Sequence, residues 1–306
     1  TIIKLLKNKP RTTKRVVKVS WSDWHLGADL DASAENEATY GITEEARAVA
    51  SLVKKTSQFN PEYRQETELV IEVLGDMMQG DLHDGGIAAP LHEQTNRTFY
   101  LLLSGISVLA SQYKKITVWA AVGNHGRDGS VHRKRATSQK WNSYEMSVYG
   151  MLRRALAPLT NVHFKLDRKA YFEYQLFGHW FYGTHGDTNL NIGSIGKSLN
   201  TGGIEGQTSR INAQQVEGKR YSVYTVGHYH QSVMLRLPTG PILLVNGTIT
   251  PPDGYAGTLG IVTPYQDQWL VEVTKDYAVG QMRLLDVTDS AKDKSLDKII
   301  KPWDGL

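Results

Sequence analysis

Five short motifs rich in aspartate, histidine and glycine constrain this chain most, because each follows a short apolar run typical of a β-strand. In order along the sequence they are Asp23-Trp24-His25, Gly75-Asp76, Gly123-Asn124-His125, Thr184-His185-Gly186 and Gly227-His228-Tyr229-His230. The strand ends of an open α/β sheet project side chains into one crevice, where ligands bind. Residues far apart in the sequence are therefore expected to meet in one polar site.

The first half of the sequence alternates between strand and helix patterns. Strands are predicted at 14–20, 69–75 and 116–122, and helices at 43–58, 93–113 and 138–157. The first of these helices has Thr43 as its predicted N-cap and two glutamates in its first turn. This alternation is typical of a layered α/β domain.

After residue 160 the pattern changes to strands, which are expected to build a second sheet. They are predicted at 162–166, 171–176, 179–183, 221–226, 232–237, 242–246 and 268–274. A glycine-rich stretch at about 186–207 interrupts them, and we interpret it either as a mobile lid or as a disordered insertion. One domain is expected over residues 1–286, followed by a charged C-terminal tail at 287–306.

The motifs supply carboxylate, imidazole and amide groups, which suit a metal site. Carboxylate oxygens suit Mg and Mn, while imidazole suits Zn and Fe, so a mixed set tolerates several divalent ions. The sequence has no cysteine, which excludes thiolate-bound zinc and iron–sulfur clusters. If the extended backbone continues beyond each strand, Asp23 and His25 share one face, and so do His228 and His230. The carboxylate of Asp76 has two oxygens and can bridge two ions.

Each motif taken alone has a simpler explanation. Asp-x-His and Gly-Asp are common at strand ends and in turns, and Gly-Asn-His is compatible with an asparagine at positive φ. The fixed order of the five motifs, and their shared position after strands, favour a single site.

The ordered set D-x-H, G-D, G-N-H, a lone histidine and G-H-x-H resembles the calcineurin-like metallophosphoesterase superfamily. The likeness spans about residues 14–250, and Ser22–Gly27 is similar to the opening motif of bacterial DNA double-strand-break repair nucleases in this superfamily. The resemblance implies a four-layer αββα sandwich, in which helices flank two mixed β-sheets and a dinuclear metal site lies at the strand ends.

The resemblance also implies roles for individual residues. The implied ligands of the first metal ion are Asp23, His25, Asp76 and His230, and those of the second are Asp76, Asn124, His185 and His228. His125 would not bind metal. It would face the substrate and protonate the leaving oxygen, so His125 and Asp76 are the predicted catalytic residues.

The sequence departs from the family pattern at two points. An acidic residue normally follows Gly-Asn-His and orients the histidine, but Gly126 and Arg127 follow here. Protein Ser/Thr phosphatases of the superfamily carry an arginine before the glycine that closes their G-D motif, where this chain has Gln79. The group that orients His125 must therefore come from elsewhere, and Arg127 is the nearest candidate for a phosphate-binding cation.

Positive charge is clustered, although the formal net charge is only +4. One cluster lies near the N-terminus and ends at Lys18, and we interpret it as a solvated surface. A second cluster follows His125 and comprises Arg127, His132, Arg133, Lys134, Arg135 and Lys140. Because neutralisation of phosphates dominates nucleic-acid affinity, we expect Arg127, Arg133 and Arg135 to contact a DNA backbone.

Three classes of function remain open. The first is a metal-dependent DNA nuclease, whether exonuclease or endonuclease. The second is a phosphatase or phosphodiesterase acting on nucleotides or other small phosphoesters. The third is a binding protein that keeps the fold without turnover, which the complete ligand set disfavours. We expect two divalent ions, with Mn favoured and Mg, Fe or Zn as alternatives.

The remaining expectations concern location and partners. No apolar run approaches the ~20 residues that span a bilayer, and the start of the chain is too short in apolar residues for a signal peptide. We therefore expect a cytoplasmic enzyme with no membrane partner. The resembled repair nucleases work with an ATPase, so an ATPase or another replication or repair protein is a predicted partner, besides DNA.

Overall fold

Two β-sheets form the centre of the fold. A computed structural model of the chain describes residues 14–30, 39–60, 65, 67–81, 88–128, 140–193, 200–252 and 265–305. The first sheet has six strands, in the order β11 (Met282–Asp286), β10 (Asp267–Thr274), β1 (Arg15–Trp21), β2 (Glu68–Val73), β3 (Lys115–Ala120) and β4 (Val162–Leu166). The second has five, in the order β5 (Tyr171–Leu176), β6 (His179–Thr184), β7 (Tyr221–Val226), β9 (Ile242–Val245) and β8 (Val233–Arg236).

Helices cover the outer face of each sheet. The helices of the described residues are α1 (Ile42–Ser57), α2 (Leu91–Ala110), α3 (Tyr144–Ala155) and α4 (Thr201–Ala213). The first three pack on the first sheet, and α4 packs on the second through Ile204. Parallel and antiparallel pairs occur in both sheets, so the predicted four-layer αββα sandwich of two mixed sheets is confirmed. No helix in the described part of the chain is both long enough and apolar enough to cross a bilayer.

Side chains of strand β3 pack into two hydrophobic cores, because successive side chains of a strand point to opposite faces. Ile116 and Val118 are buried in the core under the helices. Trp119 faces the second sheet instead, where its ring stacks on Tyr174 at a centroid distance of 5.6 Å. The alternating pattern of this strand therefore joins the helical layer to the sheet–sheet interface.

Two strands predicted for the second sheet belong to the first. Residues 162–166 form β4, which pairs in parallel with β3, and β10 pairs antiparallel with β1. Strand β11 at Met282–Asp286 was not predicted at all. An apolar run identifies a strand, but the neighbour with which it pairs depends on long-range packing that a local pattern does not contain.

The helices begin at different residues from those predicted. Gly41 occupies the N-cap of α1, so the prediction of Thr43 was wrong, and Thr43 lies in the first turn. Ser143 caps α3, where its side chain accepts a hydrogen bond from the Glu145 amide at 3.2 Å. The predicted start of that helix at residue 138 lies outside the described residues.

The predicted lid at 186–207 is anchored to the second sheet where it is described. Leu190 and Ile192 are buried in the core under α4. Residues 201–207 form the first half of α4, and Asn200 caps it by accepting a hydrogen bond from the Gly203 amide at 2.9 Å. Residues 194–199 lie outside the described residues. Polar and glycine residues hid the helical pattern, because this helix buries only Ile204 and Thr208.

The predicted tail at 287–306 is part of the domain in the described residues. Two 3₁₀ helices, Ser290–Lys292 and Lys294–Lys298, follow β11. Leu296 and Ile300 are buried in the same core as the helices α1 to α3. Arg47 of α1 forms an ion pair with Asp297, with a distance of 2.8 Å between Nε and Oδ1. This segment therefore closes one side of α1.

Lys18, predicted as part of a solvated basic cluster, is fully buried between the two sheets. Its Nζ lies 2.7 Å from Oε2 of Glu72 and donates to the Thr225 hydroxyl at 3.2 Å. The Tyr174 hydroxyl donates to the other oxygen of Glu72 at 2.7 Å. A buried charge is tolerated when it is paired and hydrogen-bonded in this way. The polar network joins β1 and β2 of the first sheet to β5 and β7 of the second.

Candidate metal centre

The loops that carry the five motifs meet at one edge of the two sheets. β1, β2 and β3 are parallel neighbours, so Asp23, Asp76 and Asn124 follow strands that end on the same side. β6 and β7 are parallel neighbours in the second sheet, and His185 and His228 follow them. The ends of both strand sets face each other, so each sheet contributes side chains to a common site.

The first group of candidate metal ligands combines residues of both sheets. Asp23, His25 and His230 each offer one ligand atom, and these atoms lie within 4.8 Å of one another. Nε2 of His25 is 3.1 Å from Nε2 of His230, which in turn is 3.5 Å from Oδ1 of Asp23. Three donors therefore point at a single position.

The second group consists of Asp76, His185 and His228, with the same spacing. Nε2 of His185 is 2.9 Å from Oδ2 of Asp76 and 2.9 Å from the amide oxygen of Asn124. Asp76 also forms a group with His25 and His125, so its carboxylate lies between the two sets of donors. This is the position of a bridging ligand.

The backbone of the ligand loops is left-handed and not extended. The φ angles are 54° at Asp23, 45° at His25, 51° at Asp76, 72° at His228 and 57° at His230. The expectation that an extended backbone brings His228 and His230 to one ion is therefore wrong, since these side chains join different groups. Such conformations are costly for residues other than glycine and concentrate at functional sites.

Two glycines allow the loops after β2 and β3 to touch. A Cβ atom on Gly75 would lie 2.2 Å from the amide nitrogen of Gly123, and one on Gly123 would lie 2.0 Å from Oδ1 of Asp76. Neither neighbour can move, because one is backbone and the other is a candidate ligand. The glycines of the Gly-Asp and Gly-Asn-His motifs are therefore steric requirements of the site.

Two of the candidate ligands are neutral imidazoles at neutral pH. Burial lowers the pKa of His25 well below its ordinary value, and His125 and His230 beside it act in the same direction. Burial also lowers the pKa of His228 to about 3, with a further contribution from His185. A neutral imidazole offers the lone pair that a metal ion requires.

The buried carboxylates of the site require positive charge nearby to stabilise their ionised forms. Burial raises the pKa of Asp23 to about 7. Burial also opposes the ionisation of Asp76, but His185 and His125 outweigh it and hold the pKa of Asp76 well below its ordinary value. Buried charges in proteins are paired or coordinate metals. This mixed set of carboxylate, imidazole and amide donors therefore fits two divalent cations that share Asp76.

A backbone carbonyl orients His125. Nδ1 of His125 lies 2.8 Å from the carbonyl oxygen of Gln79, which can only accept, so Nδ1 carries the hydrogen and Nε2 lies on the opposite side of the ring. The amide of His125 donates to Oδ1 of Asp76 at 2.7 Å. The orienting group that the sequence lacked after Gly-Asn-His is thus supplied by the loop after β2.

Glu145 is a positioning residue that the sequence did not reveal. This side chain of α3 is fully buried, and its two oxygens accept hydrogen bonds from the amides of Met77 and Gly123, each at 2.7 Å. It therefore ties together the loops that carry Asp76 and Asn124. A glutamate in the first turn of a predicted helix is so common that no local signal distinguishes it.

The second basic cluster is divided by the structure. Arg127 is partly buried, and its Nε donates to the backbone carbonyl of Asn124 at 2.8 Å. Lys140, expected on a basic surface, is instead buried in an ion pair with Asp187. Arg133 and Arg135 lie outside the described residues. Of the three predicted phosphate-binding arginines, the structure brings Arg127 to the metal centre.

We expect Glu145→Gln to weaken metal binding about 10–100-fold, which is typical when a group that supports metal ligands is lost. Glu145 now accepts a hydrogen bond from each of two backbone amides. A glutamine would turn the N–H of its side-chain amide toward one of these amides, so one hydrogen bond would be lost. Calorimetric titration with Mn²⁺ measures the affinity, and exposed Glu217→Gln is the matched control. Unchanged affinity in Glu145→Gln would contradict the positioning role.

The likenesses found between this chain and known proteins are distant. No protein-family model matches it, and no curated protein sequence matches it significantly. Similar solved structures include a single mutant of Vps29 from Entamoeba histolytica, with 10% identity, a TM-score of 0.37, and coverage of 89% of this chain and 99% of the other. The phosphoesterase YfcE from E. coli has 14% identity, a TM-score of 0.38, and coverage of 88% and 100%. A dimetal phosphatase from Danio rerio has 10% identity, a TM-score of 0.40, and coverage of 89% and 98%.

Proposed function

We propose that this chain is a metal-dependent phosphoesterase that hydrolyses phosphodiester bonds by means of activated water, with DNA as its substrate. The observation that carries the proposal is the convergence of the motif side chains into groups whose ligand atoms lie within 4.8 Å of one another. Asp76 belongs to two of these groups. A pair of divalent ions held side by side is a common device for displacement at phosphorus.

The proposed ligands follow from these groups. For the first ion they are Asp23, His25, Asp76 and His230, and for the second they are Asp76, Asn124, His185 and His228. When bound, two such ions activate water and offset the charge on the phosphoryl oxygens. We propose Mn as the favoured metal, while Mg, Fe and Zn are compatible with the same donors.

His125 is the proposed general acid. Its backbone amide is held by Asp76 and its Nδ1 by the Gln79 carbonyl, so the ring has a fixed orientation beside the metal ligands. Its ring centroid is 4.5 Å from that of His25. A proton on Nε2 of such a ring can pass to the oxygen that departs from phosphorus. No cysteine exists to act as a nucleophile, which suits direct attack by water.

The choice of DNA is supported by the position of Arg127. Its bond to the Asn124 carbonyl holds a cationic side chain next to the proposed second ion. An arginine there suits a phosphate oxygen of a strand that crosses the site. The similarity of Ser22–Gly27 to repair nucleases favours the same substrate. A partner ATPase stays a prediction.

The alternative is a phosphatase or phosphodiesterase acting on nucleotides or other small phosphoesters. The burial of Lys140 favours it, since this lysine is paired with Asp187 and does not extend a basic surface. A binding protein without turnover is less compatible with the structure, because the described residues keep a complete set of donors for two ions.

An activity panel tests the proposal. Its substrates are bis-p-nitrophenyl phosphate, p-nitrophenyl phosphate, single-stranded DNA and duplex DNA, each with Mn²⁺, Mg²⁺ or EDTA. We expect hydrolysis of the diester and of DNA, abolition by EDTA and the best recovery with Mn²⁺. A preference for the monoester, together with DNA binding that does not change with salt, would favour the small-phosphoester alternative.

Neutralising Arg127, Arg133 and Arg135 with alanine is expected to weaken DNA binding nearly uniformly across sequences, because phosphate contacts carry no sequence information. On duplex DNA, the dependence of log K on log salt should flatten by about 0.9 for each phosphate that the variant no longer neutralises. Fluorescence anisotropy at several salt concentrations measures both effects. A matched control variant replaces three other exposed arginines with alanine, namely Arg153, Arg154 and Arg236, and its salt dependence should match that of the wild type. An unchanged salt slope in the first variant would assign its arginines to a solvated surface.

A further inference from the structure

A cleft of about 340 Å³ opens on the outer face of the second sheet. We call it the tyrosine cleft, and the residues that matter here are Tyr171, Tyr182, Asn189, Arg210, Gln214 and Tyr221. Tyr171 pairs in register with Thr184, which directly precedes His185. Asn189 follows the same histidine by four residues. The cleft therefore begins at the strand end that carries a proposed metal ligand.

Stacked aromatic rings form one side of the tyrosine cleft. The rings of Tyr171 and Tyr182 are nearly parallel, with a centroid distance of 4.8 Å and an interplanar angle of 18°. Tyr182 is 4% exposed, whereas Tyr171 is only half-buried. Nζ of Lys169, an exposed side chain, lies over the Tyr171 ring at 5.6 Å from its centroid. A flat aromatic ligand that takes the place of this lysine extends the stack, and the displaced ammonium group is then near an anion attached to the ligand.

Helix α4 supplies polar groups on the opposite side. Arg210 lies in the last turn of α4, and Gln214, four residues later, is its C-cap with helical backbone angles, so the two side chains lie on the same side and both are exposed. In the part of the chain that the structure describes, their side chains form no hydrogen bond or ion pair. Gln207 differs, because its amide holds the Asn191 backbone at 2.6 Å. Arg210 and Gln214 are thus the polar groups of this face that a ligand can use.

The chemistry of the lining is selective. Among the described residues, those that line the cleft are tyrosines, amides, aliphatic residues and one arginine, without a carboxylate. Aromatic rings bind nucleobases by stacking, and arginine binds phosphates. Glutamine can hydrogen-bond to the edge of a base. The helix itself buries only Ile204 and Thr208, so its packing on the sheet does not account for the rest of its polar surface.

We propose that the tyrosine cleft binds an unpaired nucleobase and its phosphate, supplied by a single strand of DNA that passes the metal centre. The base stacks on Tyr171, Gln214 contacts its edge, and Arg210 contacts the phosphate. This inference rests on the proposed function and defines its substrate further, as a strand with unpaired bases. A free nucleotide carries the same chemistry, so the experiment must separate the two sources.

The test measures binding of a fluorescein-labelled oligonucleotide of twelve thymidines in EDTA, which prevents cleavage. We expect Tyr171→Leu to weaken binding at least about fivefold, as for the loss of one stacked base. Arg210→Ala should also weaken binding, because it removes the contact with the phosphate. Arg154→Ala, which removes an exposed arginine from α3, should bind like the wild type. A twelve-base-pair duplex should respond less than twofold to the cleft variants. Wild-type affinity for the single strand in both cleft variants would overturn the proposal.

Competition with thymidine monophosphate separates the two sources. If the monophosphate does not displace the oligonucleotide at concentrations near the dissociation constant of the oligonucleotide, the strand is the ligand. Displacement at such concentrations would overturn the assignment to a strand and identify a nucleotide pocket. Arg210→Ala and Gln214→Ala change exposed side chains, so they keep the test valid if Tyr171→Leu folds poorly in circular dichroism.

The same samples separate failure of this inference from failure of the proposed function. Absence of wild-type hydrolysis of bis-p-nitrophenyl phosphate, with the binding pattern present, would contradict the function and leave the cleft intact. Normal hydrolysis with unchanged binding in the cleft variants would overturn the cleft alone.

Discussion

The Asp76→Ala variant is expected to lose both metal ions and all measurable hydrolysis. One oxygen of Asp76 lies 2.9 Å from Nε2 of His185, and the carboxylate also groups with His25 and His125. Removing it leaves each set of donors without its shared anion. Elemental analysis after dialysis against Mn²⁺ should find about two ions per wild-type chain, as in paired-metal sites, and none in the variant.

Variants of ligands that belong to only one group test whether Asp76 is shared by both ions. Asp23→Ala removes a ligand of the first group alone and should retain one ion, and His228→Ala should do the same for the second group. Asp167→Ala is a matched control, because this exposed aspartate follows β4 of the same sheet. Full metal content in Asp76→Ala would contradict the assignment of the bridge.

The convergence of the donor residues was predictable, because it follows from the order and direction of the strands. Asp23, Asp76 and Asn124 each follow an apolar run, and parallel neighbours must end on the same side of a sheet. The short, alternating β–α pattern before residue 160 left few other arrangements. His185 and His228 obey the same logic in the second sheet.

The division of the donors between two groups was implied by the resemblance of the motif set, but local backbone geometry did not predict it. His228 and His230 are two residues apart, and an extended backbone would direct both at one ion. Positive φ angles of 72° and 57° redirect them to different groups. The surrounding loops impose these angles, since the His228 amide donates to both oxygens of Asp23 at 3.0 Å. Only the folded chain brings these groups together.

The residues that support the site were also invisible in the sequence. Glu145 and Lys18 resemble the many charged residues that face solvent, yet both are fully buried. Their partners are separated by long stretches of chain, such as Gly123 for Glu145 and Glu72 for Lys18. Burial of a charge depends on partners that only the tertiary structure brings together.

The His125→Ala variant is expected to keep both metal ions but lose turnover roughly 10²–10⁴-fold, the range for loss of a general acid. The ring is not needed to complete either set of donors, since Asp23, His25 and His230 form one and Asp76, His185 and His228 form the other. Metal content by elemental analysis should therefore match the wild type. His163→Ala, which removes an exposed histidine of β4, is the control.

The leaving group decides what His125 does. p-Nitrophenolate departs without a proton, whereas an alkoxide such as the sugar oxygen of DNA requires one. If His125 donates that proton from Nε2, the loss of turnover should be large for alkyl diesters and DNA and small for bis-p-nitrophenyl phosphate. The Gln79 carbonyl, 2.8 Å from Nδ1, keeps the ring in the orientation that this transfer needs. An equal loss on both kinds of leaving group would instead assign His125 to substrate positioning, because a binding interaction does not depend on the basicity of the departing oxygen.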